Sequence, residues 1–281
     1  MNILIIGGTR FIGKHIALKL FAAGHRVTLL HRNKSISSDL AQFEHILLDR
    51  RNFGEFRIEE AFDLVIDTCA YTPSDLEILS SISFSQYLLI STVGVYCSSI
   101  PDNSNEDAKR LSDTDEESLR NQYGFQKRQT EDWVTSVKSD SIILRPSIVL
   151  GPAENSGRLS RIVQKFARNN VLNAPLSDTN SLITQFIDVR DLAQLTLNII
   201  ESNKNGPFNI VGRSFKWNEF ISIFASVGAL DVVNSTDESF PLFDSTKSTG
   251  LRTLRSRHDF INNHEFISLE STLIDWFHDI Q

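Results

Sequence analysis

Short apolar runs alternate with amphipathic stretches through the first half of the chain. Residues 3–6 (ILII), 26–30 (RVTLL), 45–48 (HILL), 63–69 (DLVIDTC), 86–91 (QYLLIS) and 141–145 (SIILR) are short, apolar and rich in β-branched residues. Such runs predict strands of a parallel sheet buried on both faces. Residues 12–23 place Ile16, Leu20 and Ala23 on one helical face, with Gly24 positioned to end the helix. A longer helix is predicted over 123–137, and another over 188–202 with Asp188 as its N-cap. After Arg145 the rhythm breaks: Gly, Pro, Asn and Ser punctuate 151–185, and GPFNIVG (206–212) reads as a late strand returning to the sheet. LIDWFHD near the C-terminus predicts a docking helix, and Trp133, Trp217 and Trp276 fall in helical patterns that make them packing residues. The alternation specifies an α/β fold, a doubly wound parallel sheet with a smaller C-terminal lobe.

Composition narrows the functional classes. The chain has 281 residues, 41% hydrophobic and 22% charged, with 28 basic against 35 acidic residues and a net charge of −7. It can bury a real core, and it offers no broad basic surface, which counts against nucleic-acid or anionic-membrane partners. No apolar run approaches the roughly 20 residues of a membrane span, and MNILIIGG lacks the basic n-region of a secretion signal. Two cysteines, Cys69 and Cys97, make no disulfide framework, so a reducing, cytoplasmic setting is expected. Seven histidines show no metal-type spacing, and no metal site is expected. Cys69, inside an apolar run, reads as a buried small hydrophobe.

The sharpest local signal is IIGGTRFIG, residues 5–13, a glycine turn between the first strand and the first helix. A helix N-terminus after a tight turn favours a bound phosphate through free N–H groups and the helix dipole. Gly7 supplies the special backbone angles and Gly13 lets helix and strand pack closely, while Thr9, Arg10, Phe11 and Ile12 line the turn. Residues 1–150, with 185–212 returning to them, are therefore expected to form a dinucleotide-binding core. Residues 151–184 and 213–281 are expected to form the substrate-binding lobe. An acidic residue for the ribose hydroxyls should end the second strand, yet the chain reads His31-Arg32 there. Arg10 and Arg32 can pair with a 2′-phosphate, which favours NADP(H) with NAD(H) as the alternative, unless both arginines are simply solvated. Asp49, next to Arg50, is a candidate for the adenine amino group, or else caps a turn.

YGFQK places Tyr123 and Lys127 one helical turn apart on one face. A phenol near pKa 10 becomes a useful base when an ammonium and an oxidised nicotinamide both favour the phenolate. LLISTVGVY (88–96) offers Ser91 and Thr92 at a strand end, where a hydroxyl can orient the reacting oxygen.

Together GGTRFIG, DTCAY (67–71), STVGVY, YGFQK, LRPSIVLGP (144–152) and QFIDVRDLA (185–193) resemble the extended short-chain dehydrogenase/reductase superfamily, in its NAD-dependent epimerase/dehydratase branch. The resemblance covers most of the chain. Its arginine-containing turn is similar to a subgroup of bacterial epimerase-like proteins and chloroplast RNA-binding relatives. It implies that Tyr123 is the acid/base, that Thr92 hydrogen-bonds the substrate oxygen beside Val93, and that Lys127 lowers the Tyr123 pKa and holds the nicotinamide ribose. By the same resemblance Cys69, Ala70 and Ser91 line the cofactor, Pro146 and Ile148 border the nicotinamide, and Arg158 meets a substrate phosphate or, alternatively, a surface ion pair. The family's 4,6-dehydratases carry Asp and Glu where this chain has Val93 and Gly94, so elimination of water by that route is unsupported. Epimerisation or ketone reduction of a nucleotide sugar or similar polar alcohol survives, and a homodimer is compatible with the family. A cofactor-binding regulator without turnover and an RNA-binding relative are the competing classes. The polar stretch 102–117 is expected to be a mobile loop before the catalytic helix.

Overall fold

A computed structural model describes residues 1–54, 57–176, 183–235 and 253–279. The chain opens with six strands, β1 (Asn2–Ile6), β2 (Arg26–His31), β3 (Glu44–Leu47), β4 (Ile58–Asp67), β5 (Ile82–Ile90) and β6 (Ile142–Pro146). Short strands β7 (Ile148–Leu150), β8 (Ala167–Arg168), β9 (Val171–Ala174) and β10 (Ile183–Asp188) follow, then β11 (Gly206–Ile210), β12 (Ser214–Lys216) and β13 (Asp231–Asn234). The first six and β11 form one parallel sheet in the order β11-β6-β5-β4-β1-β2-β3. The order reverses between β1 and β4, whose register pairs Ile6 with Asp67. Ligands of open α/β sheets bind at such a reversal, beyond the carboxyl ends of the strands.

Alternation along each strand builds the two faces. Ile3, Ile5, Leu29, Ile66, Leu88 and Leu144 pack with Ile16 and Leu20 of α1 (Phe11–Ala22) and with Leu192 and Ile199 of a helix over Val189–Glu201. Leu4, Ile6, Leu30, Val65, Tyr87 and Leu89 point the other way, onto the 3₁₀ segment Pro73–Ser81 and Val134 of the long helix Gln122–Val137. Numbered in chain order, these helices are α1, α3 (Gln122–Val137) and α5 (Val189–Glu201), with α2 (Glu116–Arg120) just before α3 and α4 (Arg158–Arg161) after β7. Asp188 caps α5 by accepting from the Arg190 amide at 2.7 Å.

A second apolar cluster sits beside the sheet. Leu159, Phe166, Leu172 and Phe186 pack there against Trp217, Phe220 and Phe224 of α6 (Trp217–Val227), and against Leu273 and Trp276 of the C-terminal helix Leu269–Asp279. Parts of the expected smaller lobe, residues 177–182 and 236–252, lie outside the described residues. Two of the tryptophans are buried as expected; Trp133 is 36% exposed, because it lies on the solvent side of α3. Strand β4 also differs from the reading, starting at Ile58 and stopping at Asp67. Cys69 therefore stands past the strand end, partly buried, and packs against the apolar cluster of Leu4, Val65 and Tyr87. The stretch 102–117 is irregular yet anchored: the buried Glu106 carboxylate accepts from Asn209 N (2.7 Å), Ser256 Oγ (2.6 Å) and Arg257 N (2.7 Å). The expectation of a free loop overlooked that a single buried carboxylate can tie such a segment down at several points.

Among the described residues no helix is long and apolar enough to cross a membrane.

Candidate active site

The glycine turn lies at the carboxyl end of β1 and is shaped by backbone proximity. Gly7 has φ +88, and a Cβ there would stand 2.5 Å from Thr68 Oγ1. A Cβ on Gly13 would run into the Gly7 carbonyl oxygen, so α1 can approach the turn this closely only with glycine. Arg10 occupies the middle position in extended backbone, φ −140 and ψ 150, which any residue adopts. The left-handed angle passes instead to Phe11, φ +35. Arg10 precedes α1 without a side-chain cap, and the first turn carries no acidic residue. Its N–H groups are left for an anion.

This turn forms one wall of a cleft of about 460 Å³. Gly7, Thr9, Arg10, Phe11, Ile12, Gly13, His31, Arg32, Asp49, Arg50 and Cys69, all expected at a cofactor, line it together. The sequence reading missed Asn33, whose amide donates to Thr9 Oγ1 at 2.7 Å, and Asn155, while Thr68 and Tyr71 belong to the DTCAY stretch that carries the resemblance. Asn33 was within reach of a local reading, two residues past β2. Asn155 comes from a distant loop and leaves no local signal.

Several roles change on inspection. His31 ends β2 with its Nε2 2.9 Å from His45 Nδ1, and burial together with the neighbouring imidazole lowers its pKa. The basic charge at this corner therefore comes from the arginines. Asp49 accepts from the Arg51 amide at 3.0 Å and stands 3.7 Å from Arg32, which is the turn-capping alternative. Arg50 is bound bidentately to buried Asp67 (2.8 and 2.7 Å) and donates to the Asp75 carbonyl, so it braces the cleft floor. Desolvation pushes the Cys69 thiol up to about 11, which leaves it protonated at neutral pH. Ser91 is buried and donates its hydroxyl to Glu131 at 2.5 Å. Pro146 and Ile148 belong to β6 and β7, Pro146 buried and Ile148 packed against the second apolar cluster. Ala70 is buried, its carbonyl accepting from Lys127, and Val93 is half-buried against the cluster around Val95 and Tyr96.

Beyond the inner end of the cleft stand Thr92 and Tyr123, held together by backbone contact. Thr92 follows β5 and accepts from Gly94 N at 3.1 Å. Asn121 caps α3 through Gly124 N (3.0 Å) and donates to the Gly94 carbonyl (2.8 Å). A Cβ on Gly124 would strike that same carbonyl oxygen, whereas one on Gly94 would meet only ordinary contacts, 3.4 Å to Thr92 Oγ1 and 3.9 Å to Gly124 Cα. Asn121 was legible as an N-cap residue type; the contact between the two glycines joins remote segments and was not.

The electrostatics depart from the expectation. Tyr123 leaves 49% of its surface exposed, but its hydroxyl end is desolvated, which with Tyr71 nearby pushes the phenol up to about 12; the Arg158 charge and the Thr92 hydroxyl act in the opposite direction. Lys127 is buried and donates to the carbonyls of Ala70 (2.6 Å) and Ile90 (2.7 Å). Burial brings its own pKa down to about 8, against the attraction of Asp67 and Glu131. In place of the expected lowering, desolvation outweighs the Arg158 charge and the Tyr123 pKa stands above the ordinary tyrosine value. Glu131, one turn further along α3, pairs with buried Arg145 at 2.7 Å. Tyr123, Lys127 and Glu131 thus follow one another at four-residue intervals.

Arg158 is exposed at the start of α4 and donates to Ser156 Oγ at 3.2 Å, its charge felt at Tyr123.

Solved structures show the same fold. A UDP-glucuronic acid 4-epimerase from Bacillus cereus in complex with NAD superposes with a TM-score of 0.73 at 18% identity, covering 100% of this chain and 96% of that one. The Bordetella bronchiseptica enzyme WbmH in complex with NAD+ gives 0.70 at 15% identity, covering 99% and 98%. A chloroplast stem-loop binding protein of 41 kDa from Arabidopsis thaliana is 30% identical over 237 residues. That alignment takes in 76% of this chain, which spans 59% of the relative's length. The family model described as the NAD dependent epimerase/dehydratase family matches residues 3–211. With the sheet order, the glycine turn and the tyrosine-lysine helix as described, the chain belongs to that family, among the extended short-chain dehydrogenases/reductases.

Proposed function

We propose that the protein is an NAD(P)-dependent epimerase or reductase acting on a nucleotide sugar or a similar polar alcohol or ketone. The observation that carries this reading is Tyr123 one helical turn before buried Lys127 on α3, with the Thr92 hydroxyl acting on its phenol, beside a cleft built on a glycine turn. The cleft fits a dinucleotide: Gly7 and Gly13 leave the cradle that a Cβ would fill, and the uncapped start of α1 faces it.

When bound, the dinucleotide supplies a hydride donor and acceptor. Tyr123 gives a proton to the substrate oxygen in reduction and receives it in oxidation, while Thr92 orients that oxygen. Its high pKa keeps Tyr123 protonated at neutral pH, the form that gives a proton in reduction, and oxidation depends on added positive charge near the phenol to favour the phenolate. Lys127 holds the nicotinamide ribose and Arg158 faces the substrate's phosphate. Residues 151–184 and 213–281 contribute the substrate side.

Arg10 and Arg32 line the cleft where no carboxylate ends β2, which supports a preference for NADP(H) over NAD(H). Titrating both by nicotinamide fluorescence tests this; tighter NAD(H) binding overturns it. A thermal-shift screen of nucleotide sugars with saturating cofactor identifies the substrate class, and a complete absence of turnover on any hit overturns the catalytic reading.

The second reading is RNA binding, favoured by the 30% identical chloroplast relative whose name states stem-loop binding. It requires affinity for a stem-loop that weakens steeply with salt, and the net charge of −7 counts against it.

A further inference from the structure

Tyr71 is a large aromatic residue left 49% exposed at the inner end of the cleft, between the glycine turn and the catalytic pair. Its backbone is fixed. The amide donates to Asp75 Oδ2 at 2.9 Å, the carbonyl accepts from Thr130 Oγ1 at 3.3 Å, and Asp75 is itself held by Arg51 at 3.0 Å. Two contacts of the side chain matter. The Tyr123 ring lies 6.2 Å away, tilted by 53°, and the Lys127 ammonium stands 5.9 Å from the Tyr71 ring centroid. An ammonium has three donors. Two of those on Lys127 go to Ala70 O and Ile90 O, both backbone and both short. Ile90 ends β5 and Ala70 lies in the backbone just beyond β4, so neither carbonyl moves without displacing the main chain. The aromatic contact is the replaceable partner, since Tyr71 is free of the core and needs only a side-chain rotation.

We propose that Tyr71 is a positioning residue for Lys127: its ring holds the ammonium and competes with the nicotinamide ribose for it. This rests on the reading of the cleft as a dinucleotide site with Lys127 as its ribose ligand. The consequence is a split between the two halves of the ligand. The adenosine diphosphate half meets the glycine turn, Arg10 and Arg32 without touching this contact, whereas the nicotinamide half must take the place of the ring.

Calorimetric titration of NAD+ and of ADP, which share the half of the molecule that avoids Lys127, separates the effects. With Tyr71→Ala, the ratio of NAD+ to ADP affinity is expected to rise about two- to fivefold, the range that a cation–π contact at a partly exposed site supplies. With Tyr71→Phe, which keeps the ring, the ratio stays at the wild-type value. Melting temperatures of both variants near wild type are expected from the exposure of the residue and confirm that folded protein is compared. An unchanged or lower ratio in Tyr71→Ala overturns the proposal. Failure of the wild-type protein to bind either ligand overturns the cofactor reading itself, and the inference with it.

Discussion

The dinucleotide cleft and the catalytic pair lie side by side and are built on different physical terms. The cleft is set by backbone: Gly7 and Gly13 fix its curvature because nothing larger fits, and Arg10 occupies the middle of the turn without strain. Around Tyr123 and Lys127 the backbone also sets the spacing, but the chemistry comes from desolvation, which moves one pKa up to about 12 and the other down to about 8. Side-chain identity is negotiable at the cleft's rim and decisive at the pair. The difference explains how an arginine can replace a glycine in the turn while the tyrosine and lysine are both present.

Substitutions can break this contrast, and the largest effect is expected at the phenol. Tyr123→Phe should lower turnover by about 10²- to 10⁴-fold while leaving dinucleotide affinity unchanged, measured by steady-state rates and fluorescence titration. A parallel loss of affinity would merge the two regions into one.

Lys127 comes next, through stability against pH. Its pKa in the folded chain, about 8, lies below the ordinary lysine value of 10.5, so the unfolded chain holds the proton longer. The destabilisation is fully present below about 8 and is relieved as pH rises from there to 10.5. Wild-type protein should therefore gain stability relative to Lys127→Met across that window, on the order of a few kcal/mol, in denaturant unfolding at a series of pH values. A constant difference between the two proteins would show that the ammonium is not desolvated.

Gly13→Ala probes the cleft. The added methyl meets the Gly7 carbonyl, and the strain should cost about 1–3 kcal/mol, read as a lower melting temperature together with weaker dinucleotide binding. Unchanged binding would mean that the turn can yield. The smallest effect is expected at the exposed rim: Arg32→Ala should weaken NADP(H) by about three- to tenfold and leave NAD(H) nearly untouched, with both measured by titration.

Legibility in the sequence follows the same contrast. The parallel sheet was readable because alternate residues such as Leu4 and Ile5 pack on opposite faces, and because Asp188 and Gly24 mark helix ends in the local sequence. The turn was readable since strand, glycines and helix are contiguous. The state of Lys127 was not. Its partners, Ala70 beyond β4 and Ile90 at the end of β5, come from remote segments, and only their meeting reveals that the ammonium is spent on carbonyls. The Ser91 hydroxyl's partner was beyond a local reading for the same reason: Glu131, which accepts from it, is 40 residues away in the chain. Motifs name the residue types, while burial and the third neighbour decide what those residues do.

The two facing glycines invite a different use of this scaffold. Position 124 is a fixed hinge pin, closed to every side chain by the Gly94 carbonyl, but position 94 opens onto ordinary contacts. A carboxylate-bearing residue could be grafted at 94 with the distance between hydroxyl and phenol preserved. A second carboxylate at 93 would complete the pair, so the reaction is open to change from this short segment while the catalytic helix stays where it is.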